Sequence, residues 1–142
     1  MATYLLDTNH LSPLVTLTHP LRRQLAQSQQ AGHMFALAVP ALTELLFGLS
    51  LLPRAKQNLV EWSRLQGGLT VYDLDRSDAE RAANLQVSLR RRGRQLETVD
   101  ALIAAVALSY DLTLLTTDND FRAVPQLKQE NWLTIPPTTG QG

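Results

Sequence analysis

The sequence has no cysteine, no excess of charge and no long uninterrupted apolar run. Without cysteine in 142 residues, the chain has no disulfide framework, no thiolate nucleophile and no cysteine-ligated zinc, which fits a protein of the reducing cytoplasm. Thirteen basic residues balance thirteen acidic ones, so any nucleic-acid binding must come from local patches. The two most apolar stretches are interrupted by Glu44 and Asp111, and no secretory signal begins the chain. We therefore expect no association with a membrane.

Short β-rich runs alternate with helical patterns along the chain. Residues 4–6, 35–39, 69–72, 112–115 and 132–135 are bounded by turn-forming residues and predict strands. Ser77 and Glu80 have the spacing of a capping box before a further helix, which Gly93 should end. We expect one domain over residues 1–135 and a disordered tail over residues 136–142. Its fold should be α/β and three-layered, with a mostly parallel central sheet of about five strands flanked by helices. Apolar residues at helical spacing predict two of these helices: Leu42, Leu45, Leu46 and Leu49, and then Val99, Leu102, Ile103 and Val106.

Four acidic residues fall where such a fold has its ligand site, beyond the carboxyl ends of the strands. Asp7 and Asp118 follow two predicted strands, and Glu44 and Asp100 lie early in two predicted helices. Converging carboxylates repel one another unless a divalent cation neutralises them. Hard oxygen ligands suit Mg²⁺ or Mn²⁺, which often bind a substrate phosphate as well. A phosphate ester is therefore the expected substrate.

Each of these acids also has a structural explanation. Taken singly, Asp7, Asp100 and Asp118 are more often helix caps than metal ligands. Glu44 has apolar neighbours in the sequence, so a partnered structural role and a functional one are equally plausible for it. Asp120 is a secondary candidate, because the surrounding residues also have the composition of an ordinary turn.

The motifs around these acids resemble those of a known family. In order they are Leu5-Leu6-Asp7-Thr8-Asn9, Thr43-Glu44-Leu45, Asp100-Ala101-Leu102-Ile103 and Thr116-Thr117-Asp118-Asn119-Asp120-Phe121. This series is similar to the PIN domain, and within it to the VapC-type toxins of bacterial toxin-antitoxin pairs. The resemblance runs from Tyr4 to about Ile135.

The resemblance implies a metal-dependent endoribonuclease, using Mg²⁺ or Mn²⁺, with Asp7, Glu44, Asp100 and Asp118 as its acidic quartet. The metal would be held by Asp7, Asp100 and Asp118. Thr8, Asn9 and Thr116 match positions that orient the acids or a metal-bound water, and Glu97 is a further acid close by. The resemblance also implies an RNA substrate, a small antitoxin partner and a homodimer. Its interface is expected on an apolar face that core packing explains equally well: Leu42, Leu46, Leu49 and Leu52, with Trp62.

Other polar and aromatic residues carry weaker signals. Arg90, Arg91, Arg92 and Arg94 form the densest basic run, which suits either RNA phosphates or a solvated helix end. The three histidines, His10, His19 and His33, lack metal-ligand spacing and are interpreted as structural. Trp62 and Trp132 are assigned to the core or to an interface, with Trp132 beginning the last strand.

Two other classes of protein remain as alternatives. Phosphotransfer domains place a nucleophilic Asp after the first strand, but they need a second Asp two residues later or a late Lys. This chain has Asn9 and Thr116-Thr117 at those places. A non-catalytic RNA-binding or protein-binding module on the same fold is the other alternative, against which the intact acids argue.

Overall fold

The computed structural model describes residues 1–133, and a five-stranded sheet lies at its centre. Neighbouring strands all run parallel, in the order β3-β2-β1-β4-β5. The predicted α/β class and its parallel sheet are confirmed. The predicted tail, residues 136–142, and the predicted domain end at Ile135 lie outside the described residues. The strands are β1 Thr3–Leu6, β2 Met34–Ala38, β3 Thr70–Tyr72, β4 Thr113–Leu115 and β5 Gln129–Glu130.

Helices fill the connections and flank the sheet. Short 3₁₀ segments occupy Ser12–Val15, Gln66–Gly68 and Asn119–Ala123. No helix within residues 1–133 is long and apolar enough to cross a membrane. The helices are α1 Thr8–Leu11, α2 Pro20–Gln30, α3 Val39–Ser50, α4 Ala55–Leu65, α5 Arg76–Arg91 and α6 Thr98–Ser109.

The strand order reverses direction at β1. The chain moves outward from β1 to β2 and β3, then crosses back to add β4 on the other side of β1. Such a reversal opens a crevice at the carboxyl ends of the two central strands. Leu6 pairs with Leu115, so the next residues along each strand, Asp7 and Thr116, leave the sheet side by side at this crevice.

The last strand lies three residues upstream of its predicted position. Leu114 N–H donates to the Lys128 carbonyl at 2.8 Å and Thr116 N–H to that of Glu130 at 3.0 Å, which sets β5. Trp132 lies in a turn, so the prediction that it begins a strand is wrong. Its ring packs 4.9 Å from that of Tyr4, so its apolar character reflects aromatic packing. Residues 134 and 135 of that predicted strand lie outside the described residues.

The boundaries of α5 correct one predicted cap and confirm one predicted stop. Asp75 accepts from Asp78 N–H, and Asp78 accepts from Asp75 N–H, both at 3.0 Å. This reciprocal pair is the capping box, and not Ser77 with Glu80, because the helix begins one residue before Ser77. At the other end Gly93 has φ 72°, a left-handed conformation that glycine adopts without strain.

The core is built from the sheet and the helices packed on it. Leu5 and Leu6 of β1 are fully buried. Helix α6 is buried on most sides, from Ile103 through Ala107, whereas its spacing had predicted a single apolar face. Its alanines allow this close packing because they occupy little volume. Trp62 is also buried, as predicted.

Candidate active site

Asp7 lies at the carboxyl end of β1, where the chain enters α1. Its N–H donates to the Leu115 carbonyl at 3.0 Å, extending the pairing of β1 with β4. Its carboxylate accepts from Thr8 N–H at 2.9 Å and caps α1. Asp7 is only 5% exposed, and burial raises the pKa of its carboxyl, an effect that hydrogen bonds from Thr116 and Thr8 oppose. Asp7 is therefore both a helix cap and a buried acid.

Thr116 and Asn9 orient the second oxygen of Asp7. Thr116 Oγ1 donates to Asp7 Oδ2 at 2.7 Å, and Asn9 Nδ2 donates to the same oxygen at 3.1 Å. Asn9 Nδ2 also lies 3.3 Å from Thr116 Oγ1. The predicted supporting residues Asn9 and Thr116 are thus brought together on Asp7, and they join the ends of β1 and β4.

Asp118 follows β4 and caps the 3₁₀ segment after it. Its N–H donates to Thr116 Oγ1 at 3.0 Å, and its Oδ1 accepts from Asp120 N–H at 2.9 Å. Its charge raises the pKa of both Asp7 and Asp100, which places Asp118 within electrostatic reach of both. Within residues 1–133 the exposed Asp120 is linked to this group through its backbone alone.

Glu44 reaches the group from α3. Its Oε1 accepts from Thr8 Oγ1 at 2.9 Å, so Thr8 contacts two of the four acids. Glu44 thus has the polar partner that was expected, but its apolar sequence neighbours do not bury it, since it is exposed. Ala41, Leu45 and Leu49 form the buried face of α3, and Glu44 lies at the edge of that face.

Asp100 is the third residue of α6, whose N-cap is Glu97, so Asp100 is not a cap. Within residues 1–133 no group donates a hydrogen bond to its carboxylate. Its pKa is raised to about 7, first by burial and then by nearby negative charges. The structure therefore brings all four predicted acids together. The charges that raise the pKa of Asp100 belong to Asp7, Asp118, Glu44 and Glu97.

The donors of this group suit a divalent cation, although the predicted three-ligand cluster is not assembled. Within residues 1–133 no three Asp, Glu or His side chains are arranged to hold a metal ion directly. Carboxylates repel one another unless a cation lies between them. Mg²⁺ keeps several waters and typically contacts only one or two carboxylates itself. The charge of the site and its oxygen donors thus fit a partly hydrated Mg²⁺ or Mn²⁺.

The arginine run divides into groups with different surroundings. Arg92 Nη2 donates to the Ala123 carbonyl at 3.0 Å, which ties α5 to the segment after β4. Arg90 and Arg94 instead line a cleft of about 630 Å³ together with Glu97. We call this the α5–α6 cleft; it is lined by Gln86, Arg90, residues 93–96, Glu97 and Thr98. Because Glu97 also acts on the pKa of Asp100, the cleft lies beside the acids.

Sequence reasoning missed one contact of this network. His10 was interpreted only as structural, yet its Nδ1 lies 2.7 Å from Asn9 Oδ1, and its Nε2 accepts from Trp132 N–H at 3.1 Å. Its position one turn after Asp7 was the available signal. The other two histidines do have local structural contacts: His19 caps α2, and His33 accepts from Ala2 N–H.

A parallel sheet with acids gathered at its switch point is an α/β arrangement that can bind a divalent metal together with a phosphate. The sequence model of the PIN domain matches residues 4–127. The chain belongs to the PIN domain family.

Individual relatives agree with this assignment. The chain is 36% identical over 125 residues to Ribonuclease VapC51 of Mycobacterium tuberculosis. This match covers 83% of this chain and 82% of that protein. The crystal structure of VapBC2 from Rickettsia felis bound to a promoter DNA fragment matches with a TM-score of 0.80 at 26% identity, covering 92% of this chain and 98% of that one. VapBC-5 from Mycobacterium tuberculosis, a member of the VapBC family of toxin-antitoxin systems, matches with a TM-score of 0.63 at 25% identity, covering 92% and 98%.

Proposed function

We propose that this chain is a metal-dependent endoribonuclease, the toxin of a type II toxin-antitoxin pair. The observation that carries the proposal is the convergence of acids at the carboxyl ends of β1 and β4, where hydrogen bonds through Thr8 and Thr116 link Asp7 to Glu44 and Asp118. Burial and the charges of these acids and of Glu97 raise the pKa of the neighbouring Asp100. A carboxylate destabilised in this way favours a nearby cation. The similarity to VapC ribonucleases over most of the chain supports RNA as the substrate.

The four acids have distinct parts in this proposal. Asp7, Asp100 and Asp118 would hold Mg²⁺ or Mn²⁺, one or two of them directly and the rest through its bound waters, and Glu44 is the exposed acid of the group. Thr116 and Asn9 hold Asp7 through the hydrogen bonds at 2.7 and 3.1 Å. When bound, the metal would lower the pKa of a water and stabilise charge on the phosphodiester.

The residues themselves supply orientation and a protected environment. Because Asp7 is buried and accepts three hydrogen bonds, its carboxylate has little freedom to turn. Asp100 keeps its oxygens free of protein donors within residues 1–133, so they can face the cation. Thr8 fixes the distance between two acids by contacting both Asp7 and Glu44.

RNA enters, in our proposal, along the α5–α6 cleft. Arg90 and Arg94 line the cleft, and their guanidinium groups would bind the phosphates that flank the cleaved bond. Gln86 Nε2 donates to the Leu96 carbonyl at 3.0 Å and to Thr98 Oγ1 at 3.2 Å, which fixes one wall. Arg92 is left out of this assignment because its guanidinium contacts Ala123.

We also propose an antitoxin partner and a homodimer in the cytoplasm. Of the predicted interface, Leu49 and Trp62 are buried in the core and cannot serve. Leu46 and Leu52 of the predicted interface are exposed and remain candidates, beside Phe47 at 68% and Leu51 at 70% exposure. A patch of this kind is typical of a protein interface. The VapBC complexes among the structural relatives support an antitoxin, and the cysteine-free composition is what favours the cytoplasm.

The test is a cleavage assay of the purified chain on total cellular RNA with Mg²⁺, with Mn²⁺ and with chelator. We expect discrete fragments that require metal. Asp100→Asn should abolish them while the protein remains folded, because the amide removes the charge without changing the shape.

Asp111→Asn is the matched control. Asp111 pairs with Lys128 at 3.0 Å on the surface and has φ 55°, a conformation that asparagine tolerates. This variant should cleave like the wild type. Cleavage by Asp100→Asn at the wild-type rate would refute the site. RNA binding that is unchanged in chelator, without cleavage in any metal, would favour the binding-module alternative.

A further inference from the structure

We propose that His10 is a positioning residue, which fixes the Asn9 amide and through it the Asp7 carboxylate, and so links the turn after β5 to the active site. This inference rests on the function proposed above, in that Asp7 is taken as a metal ligand. His10 is fully buried and touches none of the four acids in the hydrogen-bond network. Its effect would pass through Asn9.

The hydrogen bond from the Trp132 backbone determines which nitrogen of His10 carries the proton. A backbone N–H can only donate, so the bond from Trp132 N–H to His10 Nε2 at 3.1 Å makes Nε2 an acceptor. In a neutral imidazole the proton then lies on Nδ1. His10 Nδ1 therefore donates to Asn9 Oδ1 at 2.7 Å. Burial lowers the pKa of His10 to about 4, which keeps the ring neutral at pH 7.

The amide of Asn9 is fixed by the same reasoning. Thr117 N–H donates to Asn9 Oδ1 at 3.2 Å, so this atom is the amide oxygen and the other is Nδ2. With its oxygen bound to Thr117 and His10, Asn9 must direct Nδ2 at Asp7 Oδ2, 3.1 Å away. Rotation of the amide would break all three contacts and turn an oxygen towards the carboxylate.

The contact with Trp132 extends the network to the end of the described chain. The Trp132 ring packs against Tyr4 and Phe35, with centroids 4.9 and 5.6 Å apart. This packing holds the Trp132 backbone where its N–H meets His10. The turn after β5 thereby selects the tautomer that Asn9 needs.

Two substitutions of His10 separate its two hydrogen bonds. His10→Asn places an amide nitrogen near the former Nδ1 and can still donate to Asn9, while it loses the acceptor for Trp132. His10→Gln places an amide oxygen near the former Nε2 and can still accept from Trp132, while it loses the donor to Asn9. A purely structural role would make the loss of activity follow the loss of stability in both variants.

We expect His10→Gln to reduce kcat and weaken Mn²⁺ binding by about 10- to 100-fold, the usual effect of removing a group that orients a metal ligand. KM for RNA should change by less than about threefold, because no phosphate contact is lost. His10→Asn should stay within about threefold of the wild type in kcat and in Mn²⁺ affinity. His33→Gln is the control, since His33 also accepts a backbone N–H but has no link to the acids.

Three measurements decide the matter: calorimetric titration with Mn²⁺, the imidazole ¹⁵N shifts of His10 in the wild type, and melting temperatures of all variants. The ¹⁵N shifts should report a proton on Nδ1. A proton on Nε2, equal Mn²⁺ affinity in the two His10 variants, or losses that simply track the melting temperature would overturn the inference. If the wild type binds Mn²⁺ but cleaves no RNA, the proposed function fails, while the tautomer and the affinities still test His10.

Discussion

The two halves of the acidic site hold the same kind of side chain in opposite ways. In the inner half, Asp7 is buried and accepts hydrogen bonds from Thr8, Asn9 and Thr116. In the outer half, Asp100 lies on the first turn of α6 beside the α5–α6 cleft, and no described group donates to it. The pKa of Asp100 is raised to about 7.

The difference shows how a sheet and a helix end contribute differently to one site. The ends of β1 and β4 are fixed by strand pairing, so side chains there can form a complete network around one carboxylate. The first turn of α6 offers its own N–H groups to favour negative charge, by about 0.3 to 1 kcal/mol. That is too little to offset several neighbouring acids. The inner half therefore holds its carboxylate rigidly, whereas the outer half carries negative charge that a cation would neutralise.

The strongest test of this comparison pairs Asp7→Asn with Asp100→Asn. Both should reduce metal-dependent cleavage by at least about 10²- to 10³-fold, because each removes a carboxylate that would hold the cation, and with it the positive charge that stabilises the reacting phosphate. Their stabilities should differ. Asp7→Asn turns an amide nitrogen towards the donors on Thr116 and Asn9 and should cost about 1 to 3 kcal/mol. Asp100→Asn should leave stability unchanged or raise it, because it removes a negative charge that burial and the neighbouring acids disfavour.

Urea denaturation in chelator measures the stabilities, and the RNA assay measures the rates. Equal losses of stability in the two variants would remove the distinction between the halves.

Thr116 tests the inner half by itself. Thr116→Val keeps the shape but removes the donor to Asp7 Oδ2 and the acceptor of Asp118 N–H. We expect about 10- to 100-fold weaker activity or metal binding, with a stability loss of about 1 to 3 kcal/mol. Thr116→Ser restores the hydroxyl and should recover most of the activity. Full activity of the valine variant, measured at saturating metal, would contradict the assigned hydrogen-bond role.

The pH dependence of stability tests the outer half of the site. The folded-state pKa of Asp100 is raised from 3.8 to about 7, so the folded chain binds a proton more tightly than the unfolded chain does. This tighter proton binding stabilises the folded state at pH values below the unfolded-state pKa of 3.8. The stabilisation is lost as the pH rises through about 7. In chelator the free energy of unfolding of the wild type should therefore fall over this range relative to Asp100→Asn. Parallel pH profiles of the two proteins would show that Asp100 has an ordinary pKa.

The smallest expected effect concerns the arginines beside the outer half. Arg94→Ala should raise KM for RNA a few-fold and lower the salt dependence of binding by about 0.7 in log-log slope, the value for one phosphate on a single strand. Arg92→Ala is the matched control and should leave KM unchanged, because that guanidinium contacts Ala123. Binding titrations at several salt concentrations distinguish the two. Identical slopes would remove the α5–α6 cleft from the RNA path.

The sequence predicted the parts of this protein that depend on local pattern. The four longer strands and their parallel pairing were predicted from apolar runs, and the acids could be located from the strand ends. The position of β5 could not be predicted, since Gln129 and Glu130 are polar and only their pairing with β4 makes them a strand. The exposure of Glu44 depends on the exact face that α3 presents. The role of His10 depends on Trp132, which lies 122 residues away.

The two edge strands of the sheet are short, and this affects how copies of this chain avoid aggregation. One edge strand, β3, has three residues and the other, β5, has two. A long exposed edge strand can pair with a strand of another chain, and natural proteins often keep edge strands short. A binding partner will find little backbone here to extend as an added strand. We therefore expect recognition to rely on side chains, and truncations that expose the central strand β1, whose Leu5 and Leu6 are fully buried, to be the changes that make the protein prone to aggregate.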